Sequence, residues 1–353
     1  MKKIPSLGAG VLGSLYAARL KQSGQDVTIP ARGTRLKDIK EYGIILEHVR
    51  TGKREVVAVP VVEHLLKTNR YDLIVLLVRK NQLVSALLIL AAHKGTPDIV
   101  FMVSNPSGWV DMVKAVGPER LIPGFEGTGG MRIGHVVRYV VVSRLLQPTT
   151  FDELDGSKSA RLKEIMQIFS RAGSSTASTP KMDAWQKTHV AWISPVENAM
   201  YKVDCDNHLL ARSPDVVRLA IQLYAKGLTY CTAWAYQQPQ PSCECGSGFL
   251  KAYWRVRSCC GVGTNHFKTA AVEHTAAAID EMSQFANEFY MLALSTSIAT
   301  PAIDELRSFI PTSHRPAHML DDWTCFPGRQ KGAGRERIKS CLHADFKHVL
   351  SMF

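Results

Sequence analysis

The stretch GAGVLG at residues 8–13 constrains this chain more than any other. Glycines in that spacing mark a turn from a strand into a helix: the first makes the turn, the second lets the main chain approach a pyrophosphate, and the third allows close helix packing. The pattern needs a strand before it and a helix after it. Lys3 to Leu7 reads as a short buried strand, and VLGSLYAARLKQSG places Val11, Leu12, Leu15 and Leu20 near helical spacing before stopping at Gly24. Pro5 opposes this, because proline cannot donate to a ladder, and predicts a first strand that is short or bent. Taken by itself, the string also reads as a glycine-rich turn that holds nothing.

The second strand, within QDVTIPARGTRLK, decides which dinucleotide suits the turn. A chain that binds a free ribose 2′-hydroxyl carries an acidic residue about 20 residues beyond the glycines. Here the strand ends in Ala31, Arg32, Arg35 and Lys37, with no carboxylate. Arginine offers forked donors to a 2′-phosphate, which aspartate would repel. The expectation is NADP(H), with Gly8, Gly10, Val11, Leu12 and Gly13 at the pyrophosphate and Arg32 and Arg35 at the 2′-phosphate. A solvated basic loop is the alternative.

Downstream, GIILEHVRTGKREVVAVPVV reads as two extended runs turning at Thr51-Gly52, a hairpin excursion. YDLIVLLVRK, DIVFMVSN and RLIPGFEG read as buried strands, with helices in NQLVSALLILAAHKG and GWVDMVKAVG between them. HVVRYVVVSRLLQPTTF adds extended segments, and SKSARLKEIMQIFSRAG an amphipathic helix. Beyond SSTASTP, which suits a linker, the periodicity is helical: MDAWQKTHVAWISPVENAMYKV, SPDVVRLAIQLYAKGLTYCTAWAY, FKTAAVEHTAAAIDEMSQFANEFYMLAL and PAIDELRSFI. The fold class expected is α/β: a Rossmann-like doubly wound N-terminal domain over 1–178, an all-helical C-terminal domain over 179–311, and an irregular basic tail over 312–353.

Composition narrows the classes. With 353 residues, 46% hydrophobic and 21% charged, the chain suits a two-domain globular protein. Its longest apolar runs are too short to span a membrane. The start MKKIPSLGAGVLGSLYAA mimics a secretory leader, but cleavage there would remove the glycines that give the downstream strands and helices their purpose, so a cytoplasmic location is expected. The net charge of +12 is spread without a basic run, which points to anionic small ligands and not to a specific nucleic acid. The eight cysteines begin at Cys205 and do not read as a disulfide scaffold. Cys243, Cys245, Cys259, Cys260 and His266 lack the usual paired spacing of a zinc site, so no metal is expected.

Several strings taken in order resemble the ketopantoate reductases (2-dehydropantoate 2-reductases): GAGVLGS, VTIPARGTRL, VLLVRKNQL, FMVSNPSG, LIPGFEGTGG, DAWQKTHVAWISPVENAMY, EHTAAAIDEM and TPAIDELRSFI. The resemblance covers most of residues 1–311. It implies an NADPH-binding first domain and a helical second domain closing a cleft over a 2-keto acid. It also implies that Lys187, in the context Trp185-Gln186-Lys187, is the catalytic lysine. The chemistry agrees: reduction of a ketone leaves negative charge on oxygen, which a desolvated ammonium can stabilise and protonate. A solvent-facing helical lysine is the plainer alternative.

The resemblance further implies that Glu281, 20 residues before Pro301, is an active-site glutamate that orients the lysine and accepts a hydrogen bond from the substrate. Thr269 falls where the family keeps a substrate-binding serine, and Asn105 where an asparagine lies at the junction of nicotinamide and substrate. Position supports Asn105, since ligands in doubly wound sheets lie beyond the carboxyl ends of the strands; by the same rule Arg79, Lys80 and Gln82 line the cofactor groove. Two family asparagines after the lysine are replaced by Ala191 and Pro195. Ser194 and Asn198, close to the helix face of Lys187, are expected to supply polar contacts in their place.

The function expected is NADPH-dependent reduction of a 2-keto acid to a 2-hydroxy acid, 2-dehydropantoate first, with Lys187 as general acid. The protein is expected to act as a monomer or homodimer on a small molecule. A same-fold reductase of another keto acid and a non-catalytic NADP-binding sensor are the alternatives.

Overall fold

The structure, a computed structural model, describes residues 1–66, 68–142, 144, 147–237, 268–296 and 301–311. These lie in one compact unit, Met1–His314. The expected tail and the cysteine-rich stretch 239–266 lie outside the described residues.

The sheet half is built on strands β1 (Lys3–Leu7), β2 (Asp26–Pro30), β5 (Val61–Val62), β6 (Ile74–Leu76), β7 (Ile99–Met102), β8 (Leu121–Phe125), β11 (Thr149–Phe151) and β12 (Thr176–Ser178). Their spatial order is β12-β11-β8-β7-β6-β1-β2-β5. The pairs from β8 through β7, β6, β1 and β2 to β5 are all parallel. The chain goes from β1 to β2 on one side, and β6 then lies on the other side of β1, so the order reverses beyond the carboxyl ends of β1 and β6.

Side chains of the central strands alternate between two cores, as the pleat requires. Leu73, Val75, Leu77, Val100 and Met102 join one core, with helices α1 (Val11–Gln22) and α5 (Ala160–Arg171). Ile74, Leu76, Ile99 and Phe101 join the other, with α3 (Leu83–Ala92) and α4 (Val110–Val116).

A second sheet, β4-β3-β10-β9, is formed by β3 (Ile44–His48), β4 (Arg54–Val57), β9 (Thr128–Ile133) and β10 (Val136–Val141). The expected hairpin is its β3–β4 pair. It packs on the outer side of α1, so that helix is covered by both sheets. This explains a helix buried from Gly13 through Ala18 on nearly every face, with small residues where it is most crowded.

Two expectations change. Pro5 sits inside β1 without shortening it, because the β1–β2 ladder runs over Lys3 to Pro5 and the β1–β6 ladder over Ser6 and Leu7. The proline falls where pairing passes from one neighbour to the other. The linker-like SSTASTP contributes β12, whose Thr176, Ala177 and Ser178 pair in parallel with Thr149 to Phe151 at the sheet edge.

The helical half contains α6 (Met182–Lys202), α7 (Asn207–Leu210), α8 (Pro214–Gln237), a π-helical turn (Lys268–Val272), α9 (Glu273–Ala277), α10 (Ile279–Leu294) and α11 (Pro301–Arg307). Its core, including Val190, Ala191, Leu223, Phe285 and Phe289, is separate from those of the sheet half. The long helix expected before residue 294 is broken at Ala278, whose φ of −127° and ψ of 41° are not helical. Asp280 and Glu281 thus enter the first turn of a new helix, where its dipole favours negative charge.

Candidate active site

The glycine turn separates structural from ligand-facing glycines. A Cβ on Gly8, which has φ of +127°, would lie 2.0 Å from the carbonyl oxygen of Leu77, and one on Gly13 would lie 1.7 Å from that of Gly8. Both are required by packing. A Cβ on Gly10 would meet nothing within 4 Å, so its face opens outward. Gly10 is also the N-cap of α1, with no side-chain cap and no acidic residue in the first turn, which leaves the first amide groups, including those of Val11 and Leu12, to an anion. These residues fit the pyrophosphate of a dinucleotide.

Arg32 and Arg35 are placed differently. Arg32 is the exposed N-cap of α2 (Gly33–Tyr42) at the end of β2. Arg35 is buried and turns toward the glycine loop: its Nε donates to the carbonyl of Ala9 at 3.1 Å and its Nη2 to Oγ of Ser14 at 2.8 Å. Burial, reinforced by the charge of Arg132, lowers its pKa to about 10. It braces the loop from within, while Arg32 faces outward.

Beyond β6 and β7 the polar groups of both halves interlock. Lys80 is buried by the packing of α10. Its Nζ donates to Oδ1 of Asn105 and, at 3.2 Å, to Oγ of Ser107, and lies 3.6 Å from Oε2 of Glu288. Burial lowers its pKa, with Glu288 opposing. The main-chain amide of Lys80 donates to Oε1 of Glu281 at 2.8 Å. Arg79 reaches the helical half: its Nη1 meets Oδ1 of Asp280 at 3.1 Å and its Nη2 the carbonyl of Ala277 at 3.0 Å. Asn81 bonds the other Asp280 oxygen at 2.5 Å.

Asn105 and Lys187 come together at the loop after β7. Asn105 donates through Nδ2 to the carbonyl of Gly108 at 2.5 Å, and its main-chain amide donates to Gln186, one residue before Lys187. A Cβ built on Gly108 would lie 3.4 Å from Oδ1 of Asp183 and 4.0 Å from Nζ of Lys187. Lys187, 4% exposed, pairs with Asp183 one turn earlier on α6. The start of α6 is fixed to the sheet by Met182, whose amide donates to Oδ2 of Asp152 at 3.0 Å, and by Trp185 and His189 stacked at Phe125.

The other expected substrate contacts are less gathered. Ser194 and Asn198 are buried on α6, and Oδ1 of Asn198 has no hydrogen-bond partner among the described residues. Thr269 lies on the π-helical turn, which packs on β9, and its hydroxyl bonds Glu273. Ala191 lies at the crossing with α8: a Cβ on Gly227 would be 3.1 Å from Cβ of Ala191 and 3.3 Å from its carbonyl oxygen. Pro195, four residues on, has no amide to give the Ala191 carbonyl.

Three residues join the site that sequence reasoning missed: Glu126 at the end of β8, Glu197 on α6 and His274 on α9. Nε2 of His274 lies 3.4 Å from Oε2 of Glu281, and both groups act electrostatically on Glu126 and Glu197. Burial pushes both Glu126 and Glu197 up to about 8. Burial lowers the His274 pKa, but the hydrogen bond and charge of Glu281 and the charge of Glu197 win, and the net shift is upward. The one available signal was Glu126 itself, an acid directly after a buried strand.

A glycine turn at a topological switch point, a helix start open to phosphate, and an amide-and-lysine cluster beyond the neighbouring strands are parts that a nicotinamide-dependent oxidoreductase requires. Residues 4–144 match the family model for ketopantoate reductase PanE/ApbA. No curated protein matches the sequence. Among solved structures, 2-dehydropantoate 2-reductase from Geobacter metallireducens GS-15 aligns with a TM-score of 0.70 at 15% identity, over 87% of this chain and 98% of its own. A D-mandelate dehydrogenase in a ternary structure with NADH and anilino(oxo)acetate aligns with a TM-score of 0.70 at 18% identity, over 91% and 98%. The PanE/ApbA family ketopantoate reductase from Ralstonia eutropha JMP134 aligns with a TM-score of 0.68 at 14% identity, over 91% and 99%. At these identities the fold is shared across both halves. Among the described residues no helix is long and apolar enough to cross a membrane, and no cluster of metal-binding side chains occurs.

Proposed function

We propose that the protein reduces a 2-keto acid to the 2-hydroxy acid with NADPH, 2-dehydropantoate to pantoate being the first substrate to test. The observation that carries this reading is the approach of Lys187 to the Asn105–Gly108 loop beyond the carboxyl end of β7. Gly10 and the start of α1 would hold the pyrophosphate and exposed Arg32 the 2′-phosphate, and the nicotinamide would supply the hydride when bound. Asn105, fixed by Lys80 and Gln186, offers a rigid polar edge to the ring and substrate. Lys187 meets the charge that develops on the carbonyl oxygen and, in the simplest form of this reading, also delivers the proton. A cytoplasmic site of action accompanies this reading.

A different 2-keto acid is the second reading, favoured by Ala191 and Pro195 at the positions of family asparagines. The test is steady-state turnover of NADPH and NADH with a panel of 2-keto acids, for the natural chain and Lys187→Ala. A loss of about a hundredfold in kcat for the variant fits a positioned acid; nucleotide binding without any turnover refutes the reading.

A further inference from the structure

Lys187 is nearly closed off from water, whereas the carboxylate it pairs with is not. The Lys187 side chain is 5% exposed and that of Asp183, one turn earlier on α6, is 35% exposed. Residues four apart on a helix share a face, so the pair is held by the helix itself. The first turn of α6, which carries Asp183, is in turn fixed to the sheet by the bond from the Met182 amide to Asp152. Both members border the same loop. A Cβ on Gly108, which has φ of +83°, would lie 3.4 Å from Oδ1 of Asp183 and 4.0 Å from Nζ of Lys187. The carbonyl of that glycine accepts the bond from buried Asn105. Exposure therefore falls along one line of contacts, from Asp183 through Lys187 to the loop that holds Asn105.

We propose that Asp183 reloads Lys187, passing to it from solvent the proton that each turnover removes. This rests on the reductase reading and leaves Lys187 as the donor to the substrate. Asp183 acts through the lysine and is a positioning residue: it holds the ammonium at the Gly108 loop and restores its charge there. The need arises from burial, because an amine formed behind a closed site has little direct contact with water to draw on.

The proton balance is simple. Reduction leaves the carbonyl electron pair on the substrate oxygen, which takes a proton from Nζ of Lys187, and the N–H pair stays on nitrogen. Asp183, protonated by a hydronium ion or a buffer acid, gives its proton to the neutral amine, and the O–H pair stays on the carboxylate. A carboxylic acid is a stronger acid than an alkylammonium by about six pH units, so this transfer runs inward. The start of α6 favours negative charge, so the carboxyl group holds its proton only in passing.

The experiment measures kcat at neutral pH for the natural chain, Asp183→Asn and Asp183→Ala, in dilute buffer and with added imidazole. Melting temperature and NADPH fluorescence report on fold and nucleotide binding. Asp183→Asn keeps an acceptor for the ammonium but carries no proton, and Asp183→Ala leaves room for a small acid. Both variants are expected to lose about a hundredfold of kcat with NADPH affinity unchanged. Imidazole should restore about tenfold in Asp183→Ala and leave the natural chain unaffected. A loss in Asp183→Ala that imidazole does not restore shows a brace only and overturns the proposal, as does a kcat in both variants within about twofold of the natural value. If no 2-keto acid is turned over, the reductase reading fails by itself, and hydrogen exchange at Nζ of Lys187 decides the relay. It is followed by NMR with isotope-labelled lysine and assigned with Lys187→Arg. Exchange slowed about tenfold or more in Asp183→Asn supports the relay, and unchanged exchange overturns it.

Discussion

The main-chain amide of Lys80 and Oε1 of Glu281, 201 residues apart in the chain, meet at 2.8 Å in a buried hydrogen bond. Through it the helical half senses the end of β6 directly. Removing the acceptor leaves a buried amide without a partner, at about 1–3 kcal/mol. Glu281→Ala is expected to lower the melting temperature measured by calorimetry, while Glu281→Gln, which keeps an oxygen for the Lys80 amide, loses less.

The three glycines of the turn are expected to fail in different ways. Gly13→Ala drives a Cβ to 1.7 Å from the Gly8 carbonyl and should destabilise the fold. Gly10→Val places bulk where nothing lies within 4 Å and should fold but bind NADPH weakly. Thermal melting and fluorescence titration of both variants separate the effects.

Arg32→Ala is expected to weaken NADPH binding and leave NADH nearly unchanged. A hydrogen bond to a charged group contributes about 1.5–3 kcal/mol, so the NADPH dissociation constant should rise by about ten- to 150-fold. Equal losses for both nucleotides would remove Arg32 from the 2′-phosphate site.

Stability should depend on pH through Glu197, raised from 4.5 to about 8 by burial. Its folded pKa lies above its unfolded one, so the native state holds the extra proton. The contribution is complete below the unfolded value and is lost as pH rises through the folded one. Between those limits the slope is about 1.4 kcal/mol per pH unit for one such group. Denaturant unfolding from pH 4.5 to 8 should show stability declining, and Glu197→Gln should flatten the decline.

Asparagine at position 191 would restore a family residue but not its contact. Ala191 is fully buried against Gly227, and a side chain there must push α8 away. Overpacking of this kind costs about 1–3 kcal/mol. Ala191→Asn is therefore expected to lower the melting temperature without improving the KM for a 2-keto acid.

Much of the architecture was legible because it is written in local periodicity. The glycine turn, the buried apolar runs at 74–76 and 99–102, and the helix carrying Lys187 each arise from residues close in sequence. What escaped depended on distant partners. Pro5 is accommodated because its neighbours divide the pairing, and Thr176 to Ser178 become a strand only because β11 offers an edge. The site shows the same divide. Lys187 and Asn105 could be placed from motifs, and the structure puts both at the Gly108 loop. The bracing role of Arg35, the turn of Arg79 toward Asp280 and the gathering of Glu126, Glu197 and His274 arise from three-dimensional convergence, with no spacing rule to announce them.

Enclosure of α1 between two sheets leaves the nucleotide end of this molecule with nothing to yield. The helix that faces the phosphates is wedged like a keystone, so admission of substrate and escape of product must be worked from the opposite bank. There the ties between α10 and the strand-end loops, Arg79 and Asn81 to Asp280, the Lys80 amide to Glu281, and Lys80 and Ser107 to Glu288, would have to give way before it lifts. Turnover would then be timed by the breaking of those ties and not by any adjustment around the glycines.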